Sequence, residues 1–138
     1  MTAFVLDCSV AVTWCFEDEA TPESDALLDR LADETAAVPA IWPLEIGNVL
    51  AMAERRGRID TTKIAEFLAL VEDISIVIDD ETPQRALREV LALARTEGLT
   101  TYDAAYLDLA MRIGVPLATK DVPLSRAAER LGTPLLPV

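Results

Sequence analysis

The sequence predicts an α/β fold: an open parallel sheet of about five strands, flanked by helices in a three-layer α/β/α arrangement. Two observations carry that expectation. Short runs rich in Val, Ile and Leu alternate with longer segments of helical period, and parallel strands need crossover connections of this kind. Four acids, Asp7, Glu45, Asp103 and Asp121, stand where an apolar run ends or a helix begins, and open α/β sheets bind ligands at the carboxyl ends of their strands. At 138 residues and 51% hydrophobic, the chain fits one domain over residues 1–138 with a single buried core.

Phe4 to Leu6 reads as the first strand and Ser9 to Phe16 as a short helix, with Pro22 opening a second helix through Leu27, Leu28 and Leu31. Ala37-Val38 is a brief second strand. Pro43 sits at the next helix start, where its missing N–H costs nothing, and Ile46, Val49, Leu50 and Ala53 share one face before Gly57 stops the helix. A further helix runs from Thr61 to Glu72 with Ile64, Phe67, Leu68 and Val71 inward. Ser75 to Ile78 is the third strand, and one helix carries Ala86, Leu87, Val90, Leu91 and Ala94 to Gly98. Thr101 is expected to cap the most regular helix. Val115 to Thr119 is the fourth strand, Leu124 to Leu131 the last helix, and Leu135-Leu136 an edge strand between two prolines.

Composition removes whole classes of chemistry. No histidine is present, so Ser-His-Asp triads, imidazole bases and His-ligated zinc are excluded. Cys8 and Cys15, about 10 Å apart along a helix, are beyond disulfide reach and read as buried thiols of a reducing compartment. The N-terminal residues lack a basic region, and no charge-free apolar run reaches the roughly 18 residues of a membrane span. A soluble cytoplasmic protein is the expectation. Twelve basic against 24 acidic residues give a net charge of −12, which opposes a polyanion held by overall attraction.

Taken singly, each acid has an ordinary use. Asp7 and Asp121 suit N-caps, and Glu45 and Asp103 complement a helix dipole from the first turn. Taken together they do not, because carboxylates about 5 Å apart repel by roughly 3 kcal/mol per pair at an effective dielectric near 20. A divalent cation removes that penalty, and oxygen-only ligands favour Mg²⁺ or Mn²⁺ over zinc. Ser9, Asn48 and Thr119 are candidate donors for holding the carboxylates, or else ordinary caps and turn residues.

Four segments carry a family resemblance: Val5-Leu6-Asp7-Cys8-Ser9, Trp42-Pro43-Leu44-Glu45-Ile46-Gly47-Asn48-Val49-Leu50, Thr101-Tyr102-Asp103-Ala104-Ala105-Tyr106-Leu107, and Leu117-Ala118-Thr119-Lys120-Asp121 with Leu124 and Ala127-Ala128. In this order and length the chain resembles PIN-domain ribonucleases of the VapC toxin type. The resemblance implies a Mg²⁺-dependent endoribonuclease of a type II toxin-antitoxin module, cutting single-stranded or loop RNA. It makes Asp7, Asp103 and Asp121 the metal ligands and Glu45 either a ligand of a second ion or the group that orients the attacking water. It also implies a homodimer and a cognate antitoxin, from which an arginine entering the acidic cleft would compete with the metal. Cys8, where a small residue is more usual, and Pro123 early in the last helix depart from the pattern without removing an acid.

Arg55, Arg56, Arg58 and Lys63 form the one concentrated basic patch, readable as a complement to a helix C-terminus or as an RNA track. Trp14 and Trp42 flank the acids as packing residues first and base-stacking surfaces second. Two other classes compete: a PIN-like module that binds without catalysis, and a phosphoacceptor receiver domain.

Overall fold

A computed structural model describes residues Met1–Val138. Four parallel strands, β1 (Thr2–Leu6), β2 (Thr35–Val38), β3 (Ile76–Ile78) and β4 (Leu117–Ala118), form one sheet in the order β3-β2-β1-β4. Eight α-helices flank it: α1 (Cys8–Ala11), α2 (Pro22–Arg30), α3 (Trp42–Arg55), α4 (Thr61–Asp73), α5 (Thr82–Arg85), α6 (Glu89–Glu97), α7 (Thr101–Ile113) and α8 (Val122–Arg130). Phe4, Val5 and Leu6 are all fully buried. Because successive strand side chains point to opposite faces, both faces of the sheet centre are covered, as a parallel sheet requires. The same core of 28 buried residues takes in α3, α7 and α8 through Ile46, Leu107 and Leu124, so these helices are fixed against the strands whose ends carry the acids.

Strand order decides where a ligand site lies. The chain steps from β1 outward through β2 to β3, then crosses back to place β4 on the other side of β1. The switch point therefore falls between β1 and β4, where Val5 pairs with Leu117 and Leu6 with Ala118. This order differs from the 2-1-3-4-5 order of receiver-type sheets, which removes the fold support for that alternative.

Several expected boundaries move. The predicted fifth strand is a single parallel bridge, Leu117 to Leu135, because Pro134 and Pro137 leave too few N–H groups for a ladder. Pro116 likewise shortens the fourth strand from the expected Val115–Thr119 to two residues. The expected helix from Ser9 to Phe16 becomes α1 followed by a 3₁₀ turn over Val12–Trp14. The predicted single helix before Gly98 breaks at Arg88 (φ −120°, ψ −102°). The break lies between Arg85, whose guanidinium holds buried Asp108 at 2.7 and 2.8 Å, and Val90, which packs on Ala94, Ala104 and Ala105.

Local chemistry sets the remaining ends. Thr21 and Ser24 form a reciprocal capping box at α2, with Pro22 in the first turn. Asp60 caps α4 by accepting from the Lys63 N–H at 2.9 Å. Thr100 rather than Thr101 caps α7, its hydroxyl accepting from the Asp103 N–H at 3.1 Å. Gly98 and Gly114 stop α6 and α7 with φ of 68° and 71°, a left-handed conformation that glycine adopts without strain. No helix is long and apolar enough to cross a membrane.

Candidate functional site

Asp7 is the first residue beyond β1, and its N–H donates to the Ala118 carbonyl at 2.9 Å, locking it to the end of β4. Only 4% of Asp7 is exposed. Its Oδ2 accepts from the Ser9 hydroxyl and the Thr119 hydroxyl, each at 2.6 Å, and Oδ1 receives no side-chain hydrogen bond. The Thr119 hydroxyl also accepts from the Asp121 N–H at 3.0 Å, and Ser9 accepts from the Lys120 N–H at 2.9 Å. The ends of β1 and β4 are thus stitched by two hydroxyls, with one carboxylate oxygen left over.

Asp121 does serve as an N-cap, its Oδ2 accepting from the Leu124 N–H at 2.9 Å, which leaves Oδ1 without a hydrogen-bond partner in the protein. Asp7 stands at the cap position of α1 but makes no capping bond. Glu45 lies in the first turn of α3 and Asp103 in the first turn of α7, as the sequence predicts. Glu45 Oε1 accepts from the buried Tyr106 hydroxyl at 2.6 Å. Asp103 and Tyr106 are three residues apart, so one face of α7 delivers both a carboxylate and a clamp for a second carboxylate.

The acids feel one another electrostatically. Burial raises the Asp103 carboxyl to about 6, with Asp121 and then Asp7 adding to the rise and the Thr100 hydroxyl opposing it. Burial also raises Glu45, which the Tyr106 hydroxyl partly offsets and Asp7 and Asp103 reinforce. Asp7 is raised by burial and by Asp121, against the hydrogen bonds from Ser9 and Thr119. Burial and the neighbouring Glu45 and Asp7 push the Cys8 thiol up to about 12, and burial, Asp7 and Glu45 drive the Tyr106 phenol far above its usual range. Both side chains therefore stay protonated near neutrality. The four predicted acids are gathered at one edge, and none of the protein's ion pairs includes any of them.

Among the predicted donors, Ser9 and Thr119 bind Asp7, whereas Asn48 is exposed and hydrogen-bonds none of the four acids. Asn48, one turn beyond Glu45 on α3, lines the hollow that contains Glu45 without bonding its carboxylate. Tyr106 is not among the predicted site residues, although it lies in a segment of the family resemblance and one helical turn from Asp103. Trp42 is a core residue, and Trp14 donates its indole N–H to the Ser24 carbonyl at 2.9 Å. In the basic patch, Arg58 pairs with Asp18 and Glu19 and lies 4.0 Å over the Phe16 ring, so that cation is committed to the fold.

Another acidic trio is tighter. Carboxylate oxygens of Asp79, Asp80 and Glu81 all lie within 4.8 Å of one another, a spacing that no three of the predicted acids reach. That trio already has a cation: Arg112 contacts Asp79 at 2.7 Å and Glu81 at 3.0 Å. Four carboxylates with no cation of the protein's own, each with an oxygen that accepts no side-chain hydrogen bond, fit a hard divalent ion better than a trio filled by guanidinium.

An all-parallel sheet, with four carboxylates near its switch point that pair with no arginine or lysine of the protein, defines the broad class, an α/β protein with a candidate site at the carboxyl edge of its sheet. The chain belongs to the PIN-domain family, whose model, described as "PIN domain", matches residues 4–130. It is 32% identical over 90 residues to "Ribonuclease VapC3" of Pyrobaculum aerophilum, covering 65% of this chain and 69% of that protein. It is 35% identical over 88 residues to "Exonuclease VapC9" of the same organism, covering 64% of this chain and 63% of the relative. The crystal structure of PAE2754 from Pyrobaculum aerophilum superposes with a TM-score of 0.70 at 25% identity, over 91% of this chain and 79% of that one.

Proposed function

We propose that this chain is a Mg²⁺-dependent endoribonuclease of the VapC toxin type, with Mn²⁺ as a substitute, cutting single-stranded or loop RNA. The observation that supports it best is the gathering of Asp7, Glu45, Asp103 and Asp121 without any internal counter-cation. Asp7, Asp103 and Asp121 would hold the ion through the oxygens that their caps and clamps leave available. When bound, the ion supplies charge neutralisation at the scissile phosphate and a more acidic water. Ser9 and Thr119 fix the Asp7 carboxylate from two sides, and Tyr106 orients Glu45. Glu45, with its raised proton affinity, is suited to accept the water's proton near neutral pH. No imidazole is needed.

The net charge of −12 leaves RNA affinity to local contacts, so selection by the shape of a folded RNA fits better than a long phosphate track. A cognate antitoxin offering an arginine to the cleft, and a homodimer, belong to the same reading. A circular single-stranded RNA tests it against an exonuclease. Wild type with millimolar Mg²⁺ or Mn²⁺ linearises the circle, and Asp7→Asn or Asp103→Asn slows this by roughly a hundredfold or more, because each removes a charged ligand. Equal cleavage by the variants would place the chemistry elsewhere. An intact circle beside a shortened linear RNA would make the enzyme exonucleolytic.

A further inference from the structure

Beside the acids lies a hollow that the mechanism does not use. It measures about 290 Å³ and is walled by Ile41, Pro83, Val90, Tyr102 and Ala105, with Thr101 at its edge. No charged side chain lines it. A second hollow of about 280 Å³ is lined in part by Glu45 and shares Ile41 and Tyr102 with the first, so the two are neighbours on either side of these residues. Tyr102 is 58% exposed although it directly precedes Asp103, and its hydroxyl makes no hydrogen bond within the protein.

These properties select among ligands. An uncharged lining rejects phosphate and metal ions, which need charge or several oxygen ligands. The volume sits at the small end of ligand pockets, enough for one flat ring system. Aromatic faces bind bases of single-stranded RNA by stacking, and every base offers a π-face. The Thr82 hydroxyl is already engaged, accepting from the Ala40 N–H at 3.1 Å and donating to Asp79 at 3.2 Å. Thr101 makes no side-chain hydrogen bond and can read a base edge as donor or acceptor.

We propose that this hollow is a nucleobase subsite: a nucleotide flanking the cut phosphate lays its base on Tyr102, with Thr101 at the base edge. This rests on the ribonuclease reading above and adds a specificity determinant to it. Tyr102 holds substrate rather than metal, so its loss lowers RNA binding while metal binding persists.

The test begins by mapping the cuts that wild type makes in a randomised single-stranded RNA pool with Mn²⁺. A short oligonucleotide carrying the preferred site is then made as a series with one abasic nucleotide at each position. Cleavage is timed with Mn²⁺, and binding is followed by fluorescence anisotropy with Ca²⁺ in its place. One abasic position next to the cut is expected to weaken wild type by roughly five- to a hundredfold in both readouts. Tyr102→Ala is expected to lose the same factor on intact RNA and nothing further on that abasic RNA, while Tyr102→Phe stays near wild type. An abasic series that wild type binds and cuts uniformly would overturn the subsite, leave the nuclease intact and assign the hollow to an apolar side chain of a protein partner. Losses that multiply rather than coincide would also overturn it. A wild type that cuts no RNA would remove both the nuclease reading and the subsite.

Discussion

Two acidic clusters in this molecule have opposite fates. Asp79, Asp80 and Glu81 are close together, yet Arg112 from α7 fills the space between Asp79 and Glu81. Asp7, Glu45, Asp103 and Asp121 are less tightly spaced, yet no arginine or lysine pairs with them, and burial with mutual repulsion lifts the proton affinity of Asp7, Glu45 and Asp103. Proximity of acids alone therefore does not identify a site. Neutralised carboxylates tie elements together, whereas carboxylates gathered at a cost, with no cation of the protein to offset it, are the ones the proposed function gives to a metal ion.

Removing Arg112 should separate the two roles most strongly. Arg112→Ala strands partly buried Asp79, and its side chain (19% exposed) and that of Asp79 (12% exposed) make the pair only partly screened. We expect a loss of about 2–4 kcal/mol by urea unfolding, with the divalent-ion response of the remaining folded protein unchanged. A variant as stable as wild type would mean that the trio's arginine is dispensable.

Thr119→Val acts on the other cluster. It deletes the buried 2.6 Å bond to Asp7 and the acceptor for the Asp121 N–H, and should lower metal affinity or cleavage by roughly 10- to 100-fold while the fold persists. Unchanged affinity by titration would make these bonds purely structural.

Protonation offers a subtler contrast. Asp103 has a folded-state pKa of about 6 against an ordinary 3.8, so the metal-free folded state binds more protons than the unfolded chain in that interval. Stability from this group is full below the ordinary value and is lost as pH rises through about 6. In EDTA, raising pH from about 4 to about 7 should therefore cost wild type on the order of 1–2 kcal/mol relative to Asp103→Asn, after discounting for partial exposure. Parallel curves for the two proteins would show that Asp103 is not perturbed.

The sequence made some of this legible for clear reasons. Asp7 directly follows three apolar residues, so the end of β1 and the acid beyond it were readable from periodicity, as was Asp121 after β4. Glu45 and Asp103 were readable as first-turn acids, but what aims Glu45 is the Tyr106 hydroxyl 61 residues away. The broken helix before Gly98 was illegible because Ala86, Leu87, Val90 and Leu91 keep a helical period across it, while Arg85 is committed to Asp108 on α7. Asn48 was readable as a polar residue on the helix of Glu45, and it lines the Glu45 hollow from an exposed position without bonding an acid. The lost fifth strand was foreshadowed by its own flanking prolines.

The most direct test is a thermal melt of wild type, Asp103→Asn and Asp80→Asn, each in EDTA and in millimolar Mg²⁺ or Mn²⁺. A ligand confined to the folded state adds about 2.7 kcal/mol at a hundred times its dissociation constant, a shift of several degrees for a chain of this size. Wild type and Asp80→Asn should gain that shift, and Asp103→Asn should gain almost none. The contrary pattern, a response that survives in Asp103→Asn and disappears in Asp80→Asn, would move the metal site to the trio just beyond β3 and away from the four acids.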